Sequence, residues 1–135
     1  MADFDKVGLL TIRDGKILLC RKKRTTSLLI LPGGCEEPGE SAHECLTREL
    51  REELGDVFIS NAELIGVYED RAAGSDIKTV RIELYQAELH GEPAPHSEIR
   101  ELVWFGASDD RAALAPSLAN KILPDLLSRG ILHWH

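Results

Sequence analysis

The chain has 135 residues, 43% hydrophobic and 29% charged, which suits one folded domain over residues 1–135 with its own core and leaves little room for a second. A formal net charge of −7 sets the surface against a nucleic-acid backbone, and no apolar run approaches the roughly 18–20 residues of a membrane span. The acidic start Met1-Ala2-Asp3-Phe4-Asp5 lacks the basic and apolar regions of a secretory signal, so the cytoplasm is the expected compartment; Cys20, Cys35 and Cys45, odd in number and without C-x-x-C spacing, are expected as reduced thiols.

Val7 to Ile12, Asp14-Gly15 and Lys16 to Cys20 read as two strands joined by a tight Asp-Gly turn. Basic residues Arg21 to Arg24 follow, then Leu28 to Leu31, expected as a short buried strand closed by Pro32-Gly33-Gly34. Ser41 and Glu44 fit a capping box that starts a helix; apolar spacing through Leu46, Leu50 and Leu54 continues it, and Gly55 ends it. Val57 to Ile59 and Leu64 to Tyr68 read as strands, Arg71 to Asp76 as a loop. Val80 to Tyr85 alternates with the period of two of a half-buried strand. Leu102 to Phe105 adds another strand, and Leu114 to Leu127 forms a last helix, kinked at Pro124 and stopped before Gly130. The order is α/β or α+β, a mixed sheet with helices on its faces.

Chemistry concentrates between Gly34 and Asp56. On a helical wheel of about 100° per residue with Glu49 at zero, Glu53 lies near 40° and Glu52 near 300°. Ala42, Leu46, Leu50 and Leu54 span roughly 20° to 140° on the same wheel, so Glu53 falls inside the apolar arc and Glu49 at its edge. Carboxylates at i, i+3 and i, i+4 repel one another, more so where water is thinned, and need compensation. One acid held neutral would supply it; so would a hard divalent cation, magnesium or manganese, bound through oxygen ligands beside the Gly-Gly turn. Arg48 can pair with Glu44 and Glu52 on the outer face.

The segment Gly34-x5-Glu40-x7-Arg48-Glu49-Leu50-x-Glu52-Glu53-x-Gly55 resembles the Nudix box, matching eight of its nine specified positions, with Asp56 where the last aliphatic residue belongs. The resemblance implies an α/β/α sandwich that hydrolyses a nucleoside diphosphate linked to another moiety, with water attacking phosphorus. It implies Glu49, Glu52, Glu53 and the Gly33 carbonyl as ligands of Mg2+ or Mn2+, and Arg48 and Glu40 as braces of the loop and helix. It leaves the general base between Glu49, the first choice, and the later-loop residues Glu98 and Glu101. The metal ions would turn the acidic cluster into a cationic floor, so the charge of −7 is no objection to an anionic substrate.

The basic run Arg21, Lys22, Lys23 and Arg24 is expected to reach substrate phosphates, with Arg21, Lys23, Arg24 and Gly34 as the chosen contacts, although alternation turns only two of the four inward. Trp104 and Phe105 are expected in the core rather than against a base, while Phe58, Tyr68 and Tyr85 stay ambiguous. His43, His90, His96, His133 and His135 have no metal-ligand spacing and are expected at the surface. The short length favours a nucleoside triphosphate cleaved to a monophosphate and pyrophosphate. ADP-ribose or another nucleotide sugar is the alternative substrate, and a non-catalytic nucleotide sensor the alternative of another class. The partner is a small nucleotide, with neither a nucleic-acid polymer nor a membrane, and similar chains form homodimers.

Overall fold

The computed structural model describes residues 2–24 and 26–134; Met1 and His135, named above, lie outside them. The expected first hairpin divides between two sheets. Strand β1 (Phe4–Leu10) enters one sheet, the chain breaks at Thr11, and β2 (Ile12–Arg13) pairs with β3 (Lys16–Lys22) in another. The turn between β2 and β3 is Asp14-Gly15, with φ of 52° and 75°, the left-handed pair that a two-residue hairpin of matching twist requires.

Strand β4 is Gly33–Cys35, not Leu28 to Leu31. Ile30 exchanges backbone hydrogen bonds with Cys20 while Leu29 exchanges them with Ala113 and Ala115, so this run bridges two different partners, and its Leu29 and Leu31 enter the core. Helix α1 (Ala42–Leu54) starts and stops as the sequence indicates, with the reciprocal Ser41/Glu44 capping box and Gly55 at φ 89°. Ser41→Ala should cost about 1 kcal/mol, read from the urea midpoint, because one orphan N–H at the helix start loses its acceptor; an unchanged midpoint would mean that water replaces the cap.

The two strands expected after α1 form one long strand, β5 (Phe58–Arg71), with register shifts between Ser60 and Glu63 and between Leu64 and Gly66. It is antiparallel to β6 (Thr79–His90), and β7 (Ile99–Phe105) pairs with β3. The four-stranded sheet has the order β4-β1-β6-β5, with β1 and β6 parallel and the other pairs antiparallel; the second sheet, β2-β3-β7, is antiparallel throughout.

Alternation on these strands feeds two cores. Val7, Leu9 and Leu18 pack with Leu46, Leu50 and Leu54 of α1, whereas Leu10, Ile17 and Leu19 pack with Leu118, Ile122 and Leu126 near the C-terminus. The result is helix, sheets, helix, the α/β/α arrangement. The last helical stretch carries a π turn at Leu118–Ile122 before α2 (Leu123–Ser128). Pro124 has no N–H and its ring crowds the carbonyl four residues back, so the preceding turn widens and the Leu123 N–H reaches Leu118. No helix among the described residues is long and apolar enough to cross a membrane.

Candidate active site

Strand β4 runs against β1 with Gly33 opposite Gly8 and Gly34 opposite Val7, and α1 packs over this pair. A Cβ on Gly34 would lie 2.4 Å from the carboxyl carbon of Glu49, so that carboxylate rests directly on the glycine backbone. Glu53 is 7% exposed, and its Oε1 accepts from the Gly33 N–H at 2.9 Å. The side chains of Glu49 and Glu52 are 17% and 54% exposed, the ranking given by the helical wheel.

Arg48 ties the loop before α1 to the helix. Its Nε and Nη2 donate to the two oxygens of Glu40 at 2.6 and 3.0 Å, and Nη2 also donates to the Cys35 carbonyl at 3.1 Å. The Arg48 guanidinium, with the Glu37 N–H, holds the Glu40 carboxyl down at about 2 against its ordinary 4.5. A depressed acid adds stability above its ordinary value and loses it as the pH falls through the folded one. The wild type should therefore lose stability relative to Glu40→Gln as the pH falls from 4.5 to about 2. Parallel acid-unfolding curves for the two proteins would leave the pair without energetic weight.

Burial pushes Glu53 up to about 7, and the neighbouring Glu49 adds to this; the Gly33 N–H and the ammoniums of Lys22 and Lys6 act the other way. Lys6 is itself lowered, first by burial and then by the charge of Lys22. Both lysines line a cleft of about 370 Å³ next to Gly33, with Phe4, Thr26, Ile30, Leu31, Val80 and Ile82 among its other walls.

Among the described residues, no three acidic, histidine or cysteine side chains enclose a metal position as they stand. The donor set still fits a hard cation. Nη1 of Arg48 lies 2.9 Å from Glu49 and 3.4 Å from Glu52, so these two carboxylates already share one positive group. Glu53, desolvated beside Glu49, has one oxygen on Gly33 and gains from any further positive charge.

The other expected residues scatter. Arg21 is ion-paired with Glu101 and donates to the Ser27 carbonyl, while Lys23 and Arg24 are exposed outside the cleft. Glu98 is exposed, its carbonyl accepting from the Lys23 N–H. Phe105 is buried and Trp104 lies half-buried under Arg13. Tyr68 is hydrogen-bonded to Asp125, Tyr85 packs beside α1 and Phe58 stacks on His90. His43, His96 and His133 are exposed, as is Cys35, whereas Cys20 and Cys45 are buried.

Phe4 and Lys6 are cleft residues that the sequence does not single out, whereas Lys22 belongs to the basic run Arg21 to Arg24 expected to reach substrate phosphates. A strand begun at Val7 omits the first two, and the register of β1 is what shows them sharing a face with Gly8. Alternation puts Lys22 with Leu18 and Cys20, one face away from Arg21, and of the run of four it is the one that lines the cleft.

The sequence matches the NUDIX domain family over residues 4–126. It is 33% identical over 102 residues to an NAD-capped RNA hydrolase, NudC, of Pseudomonas putida (strain W619), a match that covers 75% of this chain and 36% of that protein. The chain thus spans about a third of the length of these relatives. It is 32% identical over 108 residues to the CTP pyrophosphohydrolase of Escherichia coli (strain K12), covering 77% of this chain and 76% of that one. The solution structure of the E. coli ORF135 protein superposes with a TM-score of 0.73 at 27% identity, covering 97% of this chain and 94% of that one.

Proposed function

The chain belongs to the Nudix family, and from that premise we propose that it is a divalent-cation-dependent pyrophosphohydrolase acting on a nucleoside triphosphate, with a monophosphate and pyrophosphate as products. One observation supports a triphosphate over a nucleotide sugar. The carboxylate row of α1 adjoins a cleft that already holds two ammoniums, Lys6 and Lys22, which suit a densely charged phosphate chain better than an uncharged sugar. The name of the E. coli CTP pyrophosphohydrolase agrees. The NAD-capped RNA hydrolases share only about a third of their length with this chain, and their named substrate is not carried over.

Glu49, Glu52 and Glu53, with the Gly33 carbonyl, would hold Mg2+ or Mn2+, which when bound neutralises phosphate oxygens and acidifies a water molecule. Glu53 is oriented by the Gly33 N–H, and Arg48 with Glu40 keeps the loop against the helix. Glu49, held against Gly34, takes the proton as the water oxygen bonds to phosphorus and the bridging P–O bond breaks. Of the loop alternatives, Glu101 is engaged by Arg21, and Glu98 is exposed. The substrate is a small dissolved nucleotide in the cytoplasm.

The test is chromatographic separation of the products formed from nucleoside triphosphates, ADP-ribose and nucleotide sugars, each with magnesium, manganese or EDTA: monophosphate with pyrophosphate from a triphosphate, monophosphate with a sugar phosphate from the others. Triphosphate turnover that EDTA abolishes is the expected result. Turnover confined to ADP-ribose or a nucleotide sugar would replace the substrate, and nucleotide binding without any turnover would favour a sensor.

A further inference from the structure

Helix α1 ends where its carboxylates are. Its last carbonyls have no partner within the helix and must find donors elsewhere or stay in water. The donors come from the link between β6 and β7, far along the chain: the Ala94 N–H reaches the Leu54 carbonyl at 3.0 Å, and the His96 N–H the Glu53 carbonyl at 2.9 Å. Pro93 and Pro95 carry no N–H, so Ala94 and His96 are the backbone donors of this stretch, and both are spent on α1. The same prolines fix φ on either side of Ala94, which stiffens the link.

Glycines at two points let the link lie so close. Gly91 has φ 95°, and a Cβ there would lie 2.6 Å from the Asp56 carbonyl oxygen. At Gly55, where the helix stops, a Cβ would lie 2.5 Å from His96 Nε2 and 2.8 Å from His96 Cδ2. The imidazole thus takes the space that a side chain at 55 would need, although His96 as a residue is exposed. Beyond it Ser97 sits at φ 54°, in a turn closed by the Ile99 N–H on the His96 carbonyl, and the Glu98 carbonyl accepts from the Lys23 N–H. A serine stays in that left-handed region only where its surroundings fix it, and here the link is tied to α1 on one side and to the end of β3 on the other. Glu53 is consequently held twice, its carboxylate by the Gly33 N–H and its backbone carbonyl by the His96 N–H.

We propose that His96 is a positioning residue: its ring, seated on Gly55, locks the β6–β7 link onto the end of α1 and so fixes the backbone from which Glu52 and Glu53 project. The proposal rests on the hydrolase reading for the metal-binding role of those carboxylates, while the lock itself belongs to the metal-free fold. A cation held by several oxygens tolerates little drift in any of them, so play at the helix end weakens metal binding and turnover. Contact of a ring with a glycine Cα is packing, so another flat ring serves in its place.

Amide hydrogen exchange of the metal-free protein and its titration with Mn2+ test it, on the wild type, His96→Ala, His96→Phe, Gly55→Ala and the Gly55→Ala/His96→Ala double variant. In His96→Ala the amides at positions 94 and 96 should lose protection roughly tenfold, while that of Leu84 within the sheet keeps its own. Mn2+ affinity should fall roughly threefold to tenfold, and kcat should fall with the nucleotide KM little changed. His96→Phe should restore all three. Gly55→Ala should displace the ring and weaken Mn2+ as His96→Ala does, and the double variant should bind Mn2+ no more weakly than Gly55→Ala alone, because both changes remove one contact. A ring that only stabilises the fold would lower global unfolding and leave Mn2+ affinity as it was. Wild-type exchange or wild-type Mn2+ affinity in His96→Ala, or no rescue by His96→Phe, overturns the proposal. Absent turnover in the wild type, with the exchange and Mn2+ effects intact, would instead sink the hydrolase reading and leave the lock standing.

Discussion

Glu53→Gln should abolish turnover and, in the metal-free protein, raise stability, with the gain growing as the pH rises. The loss of turnover should be at least about a hundredfold, because even residues one step removed from a metal typically cost ten- to a hundredfold when changed. The stability gain comes from burial. Glu53 titrates at about 7 in the fold against its ordinary 4.5, so the fold prefers the neutral acid. Its contribution is fully present below 4.5 and is lost as the pH rises through 7, where a desolvated carboxylate must be carried beside Glu49. The amide stays neutral and keeps an oxygen for the Gly33 N–H. The gain over the wild type should be on the order of 2 kcal/mol larger at pH 8 than at pH 5, measured by urea unfolding in EDTA. Equal stabilities at both values would show that water reaches the carboxylate, and near-normal turnover would remove Glu53 from the metal site.

Gly33→Ala should be the most damaging single change to the fold near the site, with a loss of about 3 kcal/mol or more. Gly33 has φ 138°, a conformation that side chains rarely adopt, and a Cβ there would lie 2.0 Å from the backbone oxygen of Val7. Backbone cannot swing aside as a side chain can, so the pairing of Gly33 with Gly8 must open, and the N–H that orients Glu53 moves with it. Gly39→Ala is the control. Gly39 also has positive φ, at 82°, yet a Cβ there meets nothing within 4 Å, so only the conformational cost of about 1–2 kcal/mol applies. Thermal unfolding of both variants separates the two costs, and equal losses would mean that β4 shifts to admit the methyl group.

These variants probe different layers of what the chain encodes. Local rules were readable wherever neighbours in sequence are also neighbours in space. The Ser41/Glu44 cap, the extent of α1, the Gly55 stop and the order of burial among Glu49, Glu52 and Glu53 all follow from the 3.6-residue repeat. The Asp14-Gly15 turn is legible for the same reason. Strand partners were not. The Leu28 to Leu31 run has the composition of a buried strand, but Leu29 and Ile30 spend their backbone bonds on different segments. The break at Thr11 sends two halves of one apolar run into separate sheets, which only long-range pairing decides.

By itself, then, the sequence determined the helix that carries the carboxylates, the loop that Arg48 and Glu40 brace against it, and the family to which both belong. Those features depend on spacings within about twenty residues of chain, where geometry is set by the backbone repeat. Tertiary structure alone decided which cations line the cleft beside Gly33. Lys6 comes from β1 and Lys22 from β3, strands of different sheets, and both line one cleft with Val80 and Ile82, which the parallel pairing of β6 sets beside Phe4 and Lys6 from more than seventy residues away along the chain. Arg21, as basic as its neighbour, is turned to Glu101 by the alternation of β3. Charge can be counted along a chain, but the side of a sheet on which each charge emerges is fixed only when the strand finds its partners.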